Sequence, residues 1–300
     1  FADKGFAKPQ MFLNLFVSNA GLLVIACGLT IVMITGGIDI SVGSVTALVC
    51  MVLADLMENK GVNTYVAVLV ALLIGVAFGI VQGFLVAYLD IQPFIVTLAG
   101  MFFGRGLTAI ISTDMISIKN ELFLKWANYR FYMPFGSTSK KGKFIPVVIA
   151  LIVVVLIAVL LKYRKFGRKL YAIGGNRQSA LMMGLNVKKT IFNAYVLDGF
   201  LAGLGGFLFC LNSCAGFVEQ AKGLEMDAIS SAVIGGTLLS GGVGTPIGTL
   251  FGVLIKGTIS SLITTQGTLS SWWTRIILSA LLCFFIIIQS VVASMKKKNK

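Results

Sequence analysis

Apolar positions in this chain run together instead of alternating. Continuous hydrophobic stretches occupy residues 12–35, 65–89, 94–112, 144–161, 190–212, 243–264 and 276–294, each close to the roughly 20 residues that an α-helix needs to cross a bilayer. Two shorter stretches, 42–57 and 228–240, bring the expectation to about nine membrane segments, an all-α polytopic transmembrane helical bundle. Each short stretch begins or ends in a glycine-rich motif. GGIDISVG at Gly36 to Gly43 and IGGTLLSGGVGT at Ile234 to Thr245 share a GGxxxSxG skeleton. Glycine lets backbones approach closely or leave the helix, and irregular backbone at bilayer depth persists only against protein or a polar cavity. The repeat therefore predicts broken or re-entrant junctions beside a solute pathway, with Gly236 and Gly242 as candidate pathway glycines.

Composition agrees and removes several function classes. With 300 residues, 57% hydrophobic and 12% charged, and a mean hydropathy of +0.94, the chain has too little polar surface for a soluble domain. The net charge of +14 is spread over loops beside apolar spans, without groove-reading or stacking motifs, which argues against nucleic acid. Histidine is absent, so His proton relays, ordinary zinc sites and Ser-His-Asp catalysis are excluded. Cys27, Cys50 and Cys283 lie in apolar runs and read as small core residues, while Cys210 and Cys214 stand one helical turn apart. No CxxC spacing suggests redox or metal chemistry. No G-x-x-x-x-G-K-[ST] occurs, so ATP-driven work would need a partner.

Loop charges set the orientation. Residues 162–189 carry eight lysines and arginines and no acid, and the tail adds Lys296, Lys297, Lys298 and Lys300; both are expected in the cytoplasm. Counting back places the 113–143 insert outside. The chain opens at Phe1 without Met and enters an apolar run by Phe12, which predicts an upstream first helix that starts inside. Residues 1–300 read as a single transmembrane domain with the 113–143 external insert and the 162–189 cytoplasmic loop. In the insert, Trp126, Tyr129, Phe131, Tyr132 and Phe135 suit an interfacial belt or a landing surface for an external partner. Trp272 and Trp273 suit a belt before the last span.

Charges within spans are rarer. Arg105, Asp198 and Lys256 would each cost about 2.5–3.5 kcal/mol at the bilayer centre and are expected to face the protein interior. A structural pairing of Asp198 with Lys256 or with Arg105 competes with a substrate role. Asp39, beside Ser41 in the first glycine motif, can accept bonds from amides at the start of a helix running from about Val42, or contact a hydroxylated solute. The pathway candidates are thus Asp39, Ser41, Arg105, Asp198, Gly236 and Gly242.

In the cytoplasmic loop, Asn176 reads as an N-cap, Arg177 to Met183 as a two-turn helix and Gly184 as its stop. Ala172, Ala180 and Met183 give it a small apolar face. A helix so short is marginal alone, so docking to another protein would stabilise it.

GGIDISVGSV at 36–45, TLAGMFFGRG at 97–106, FGRKLYAIGGNRQSALMMGLN at 166–186 and LEMDAISSAVIGGTLLSGGVGTPIGTLFG at 224–252 resemble, in order, the permease subunit of ribose-type carbohydrate ABC importers. With GTLSSWWTR at 267–275, the chain is most similar to the second permease of galactofuranose importers. The resemblance implies a multi-pass subunit of the bacterial cytoplasmic membrane that binds no cofactor itself. It also implies a second permease, hetero- or homodimeric, an ABC ATPase holding ATP and magnesium, an external solute-binding protein and a monosaccharide substrate. On the same resemblance, Asn176, Arg177, Ala180, Met183 and Gly184 match the coupling helix. An ion-coupled secondary transporter is the competing class. Such coupling needs acids or clustered oxygens at the midplane, for which only Asp198 and Asp39 are candidates.

Overall fold

The computed structural model describes residues 9–131, 142–143, 145–266 and 271–298. Two long helices form its axis, α1 (Pro9–Ile34) and α9 (Val187–Ser213). Both are mostly enclosed by protein, whereas α3 (Thr64–Ala87), α4 (Pro93–Ile111), α6 (Ile145–Tyr163) and α11 (Pro246–Gln266) turn most of their apolar surface outward, as lipid-facing helices do. These are six helices long and apolar enough to cross a membrane among the described residues. Three further segments complete the expected set: α2 (Val42–Glu58), α10 (Leu224–Ile234) and α12 (Ser271–Lys298). The 11 residues of α10 rise only about 16 Å, so it enters without crossing by itself.

The axis packs through small residues, because apolar side chains gain nothing over lipid by associating in a bilayer and close backbone contact has to supply the attraction. A methyl on Gly21 would lie 2.8 Å from the Gly205 carbonyl oxygen, and one on Gly28 would meet Asp198. The descending residue numbers across that seam make α1 and α9 antiparallel. Gly75 and Gly199 meet so closely, each against the other's carbonyl, that neither tolerates a side chain. Around this seam the buried core runs through Ile25, Leu29, Val45, Val49, Leu208 and Leu211.

At the end of the bundle that carries the 113–143 insert, polar contacts tie the chain down. β1 (Ile116–Ser117) pairs antiparallel with β4 (Ala215–Gly216), with Ile116 opposite Gly216. The next helix, α5 (Glu121–Asn128), is capped by Asn120, whose side-chain oxygen also accepts from Thr64 Oγ1 at 3.0 Å. Glu58 at the end of α2 accepts from the amides of Lys119 and Asn120 at 2.7 and 2.9 Å. Trp126 packs edge-on against Tyr65 and Phe207, an internal role, and Tyr129 is exposed. The side chain of Phe131, like Tyr132, Phe135 and the side chain of Trp272, lies outside the described residues; Trp273 is exposed. β2 (Arg130–Phe131) and β3 (Gly142–Lys143) form a second small ladder. Cys27, Cys50 and Cys210 are buried as expected, but Cys283 faces outward from α12, where lipid accepts a small apolar side chain as readily as a core does.

At the opposite end, the basic loop is more ordered than its composition suggests. An 11-residue helix, α7 (Lys165–Gly175), precedes the short α8 (Arg177–Met182). Phe166, Leu170 and Ile173 recur at helical spacing and pack inward.

Candidate functional site

The two glycine motifs meet each other. The Gly242 amide donates to the Ile34 carbonyl at 2.8 Å, and a methyl on Gly241 would lie 2.8 Å from the Gly36 amide nitrogen. Just above, Thr30 and Thr249 hydroxyls join α1 to α11 at 2.7 Å. The chain leaves the helix at both places with left-handed glycines, Gly36 at φ +83° and Gly236 at +92°, Gly241 at +86° and Gly242 at +77°, conformations that cost an L side chain about 1–2 kcal/mol. Gly236 has open space around it, so it is there for its backbone angle and not for close packing.

α7 grips this double junction. Gly174 of α7 lies directly on the Ile34 carbonyl and the Gly242 amide, and the Tyr171 hydroxyl donates to the Gly244 carbonyl at 2.7 Å; burial pushes the Tyr171 phenol above its ordinary pKa. At Asn176 the chain breaks, and its side chain caps α8 by accepting from the Ser179 amide at 2.9 Å. Gly184 at φ +74° ends the turn. These bounds match the sequence expectation within a residue, with Met183 as the C-cap. The docking face differs from that expectation. Ala180 has no exposed surface and packs with Ile173, Val187 and Ile191 on this chain's own core, while Leu181, Met182 and Met183 stand out at 54%, 81% and 65% exposed. Arg177 reaches across to Asp90 in the α3–α4 turn at 2.8 Å. That hydrogen bond and the guanidinium charge hold the Asp90 carboxyl below its usual range.

Between these elements opens a cavity of about 300 Å³ whose lining includes Gly36, Gly37, Asp90, Gln92, Arg177 and Tyr195. None of the six pathway candidates lines it. Asp39, Ser41 and Asp198 are buried, with 3%, 1% and no exposure. Asp39 Oδ1 accepts from the Ser41 amide and hydroxyl, each at 2.7 Å, a turn just ahead of α2 and not a bond to the helix's own first amides, and Gln82 of α3 donates to that hydroxyl at 2.8 Å. Asp198 pairs with neither expected cation. Lys256 instead meets Asp227 of α10 at 2.7 Å, and Arg105 donates to the Val218 and Gln220 carbonyls at 2.6 Å each, holding the loop before α10. Both cations found nearer acceptors on their own side of the bundle. Gln82, Tyr171, Tyr195, Asp90 and Asp227 were not singled out from sequence. A lone polar residue at a helix end or on an apolar helix announces a contact without naming the partner.

Residues 11–286 match the model of a family described as "Branched-chain amino acid transport system / permease component". The chain belongs to that permease family. Two of the relatives it resembles are named for sugar import. It is 43% identical to the inner membrane ABC transporter permease protein YjfF of Escherichia coli (strain K12), over 95% of this chain and 85% of the relative. Identity to the fructose import permease protein FruG of Bifidobacterium longum (strain NCC 2705) is 36%, over 96% and 84%. For the ribose import permease protein RbsC of Bacillus subtilis (strain 168) it is 40%, over 86% and 78%. No solved structure matches the chain. The permease is therefore a sugar ABC transporter subunit of the inner membrane and not an enzyme, ATP hydrolysis belonging to a separate subunit.

Proposed function

We propose that this permease forms one half of the pathway of an ATP-driven monosaccharide importer, with galactofuranose or a ribose-like sugar as substrate. A second permease, identical or different, supplies the other half, and an external binding protein delivers the sugar. An ABC ATPase beneath holds the ATP and magnesium. The observation that carries the reading is α8: a capped helix of 6 residues, too short to stand alone, bolted to its own core by Ala180 and presenting Leu181, Met182 and Met183 to the cytoplasm. Exposed methionines on a rigid stub suit a groove in a moving partner. Through Tyr171 and Gly174, any displacement of that stub reaches both glycine junctions.

Replacing Met182 by Glu puts charge on the docking face without touching a span. In the assembled complex, stimulated ATP hydrolysis and sugar uptake are expected to fall together by about tenfold or more, as for loss of an interface anchor. Retention of both at wild-type subunit stoichiometry would remove α8 from the coupling role. The sugar is read by identifying the ligand held by the cognate binding protein; a ligand that is not a monosaccharide would overturn the substrate assignment.

A further inference from the structure

After α9 the chain returns through the bundle in two unlike halves. It enters at the insert end, where Ala215 and Gly216 pair with β1, and a methyl on Gly216 would lie 2.7 Å from Cα of Met51 in α2. Deeper in, the Ala221 carbonyl stands 3.0 Å from where a methyl on Gly43 would be, with the Glu225 carboxyl on the same spot. Gly43 lies about 22 Å along α2 from Glu58, which meets the insert. At the same level Arg105, about 18 Å along α4 from Pro93, holds the Val218 and Gln220 carbonyls. Only from Leu224 is the chain helical, and α10 carries it on to Gly235, packed on Gly248 beside the glycine junctions. The outer half of this crossing is irregular backbone and the inner half is helix.

Irregular backbone at that depth persists only against protein or a water-filled space. Two sides of the break meet protein, α2 at Gly43 and α4 at Arg105. Another side is open, and it is charged. Glu219 and Lys222 pair at 2.6 Å with 66% and 70% of their side-chain surface exposed, and in the first turn of α10 Asp227 joins Lys256 of α11 at 2.7 Å. In hydrocarbon each such charge would cost about 2.5–3.5 kcal/mol. The lipid face of α6 shows the contrast: Val155 is exposed there, and the helix carries no charge before Lys162 in its last turn. An exposed ion pair level with the middle of α4 therefore faces water.

We infer that this break is a solute-binding wall of the translocation pathway, where Glu219 and Lys222 contact a neutral polyhydroxylated solute arriving from outside. The inference rests on the importer reading above. A carboxylate only accepts and an ammonium only donates, while each hydroxyl of a sugar does both, so one polyol can bridge the pair. The two charges cancel, which suits an uncharged cargo. Beneath them the backbone is held in place by Arg105 and by Glu225, whose Oε1 accepts from the Gly223 amide at 3.2 Å. A segment broken half-way across the membrane, with polar groups at the break, is the arrangement by which transporters hold a solute near the midplane.

The test uses the assembled complex in sealed vesicles with the outer face outward, carrying Cys214→Ser and Cys283→Ser to remove the two cysteines that are not buried. A membrane-impermeant methanethiosulfonate added outside is expected to label Glu219→Cys and Lys222→Cys and to leave Val155→Cys unlabelled. The cognate binding protein carrying its own sugar is expected to slow labelling at both positions, and the sugar-free form to slow it less. No labelling at either position in a complex whose parent takes up the sugar would overturn the site. Labelling of Val155→Cys at the same rate, or equal protection by loaded and empty binding protein, would overturn it as well. Absence of sugar uptake by the parent complex would strike the importer reading instead, and the labelling contrast would still decide whether the break faces water.

Discussion

Two glycines show how differently one residue type can be required. Gly236 sits at φ +92° with nothing near its missing side chain, so alanine there costs about 1–2 kcal/mol of backbone strain, and leucine is expected to cost little more. Gly75 lies against the Gly199 carbonyl, so Gly75→Ala forces the helices apart, at about 1–3 kcal/mol. Gly106 of α4 has open space, and Gly106→Ala is expected to be neutral or to gain the roughly 0.5–1 kcal/mol that glycine costs inside a helix. Thermal midpoints of the three variants in detergent check this, and equal midpoints for Gly75→Ala and Gly106→Ala would deny the close seam. The GGxxxSxG repeat announced that glycines matter, but not which of them serves an angle and which a contact. Sequence spacing is local, whereas the Gly75 contact joins residues more than a hundred positions apart. Asp198 was legible as an interior charge because its cost is intrinsic, whereas Gly28, which makes room for it, arrives from another part of the chain.

Among elements, α8 was legible almost to the residue because its start and stop rest on local chemistry, the Asn176 cap and Gly184. Its facing was not. Six residues span under two turns, too few for a periodicity to separate Ala180 from Met183. α7 was passed over although Phe166, Leu170 and Ile173 mark one face, since a strongly basic loop masks a short apolar stripe. The tether between Arg177 and Asp90 gives a pH test. Asp90 is held below its usual carboxylate range by the hydrogen bond and charge of Arg177, so the tether is intact above that range and is lost as pH falls through the depressed value. Asp90→Asn keeps a side chain that tolerates the local φ of +57°. Amide exchange across α8 is expected to be slower in the wild type than in Asp90→Asn at neutral pH. The ratio should approach one in acid; a ratio that stays constant would mean that the ion pair does not restrain α8. Tyr171→Phe removes the hydroxyl bond to Gly244 and is expected to lower coupling of ATP hydrolysis to uptake while leaving insertion unchanged. Tight coupling in that variant would place the transmission elsewhere.

At the scale of the whole molecule, loop charge and span count put the 162–189 loop and the 113–143 insert on opposite sides, and the structure gathers α7, α8 and Asp90 at one end and α5, β1 and β4 at the other. Single cysteines at Lys165 and Lys222 are expected to label only from the cytoplasm and only from outside, respectively; the reverse at either position would invert the bundle. Which helices are central was not legible in the sequence, because the lipid-facing α3 and α6 are as apolar as the enclosed α1. The enclosure of Asp198 bears on biosynthesis. An aspartate at the centre of a segment raises the cost of its release from the translocon into lipid by about 2.5–3.5 kcal/mol. α9 carries that penalty, and the helix packed against Asp198, α1, is synthesised well over a hundred residues earlier. The nascent chain thus prepares the receptor before the awkward helix emerges, and a ribosome-stalled intermediate deprived of α1 should leave α9 lingering at the channel.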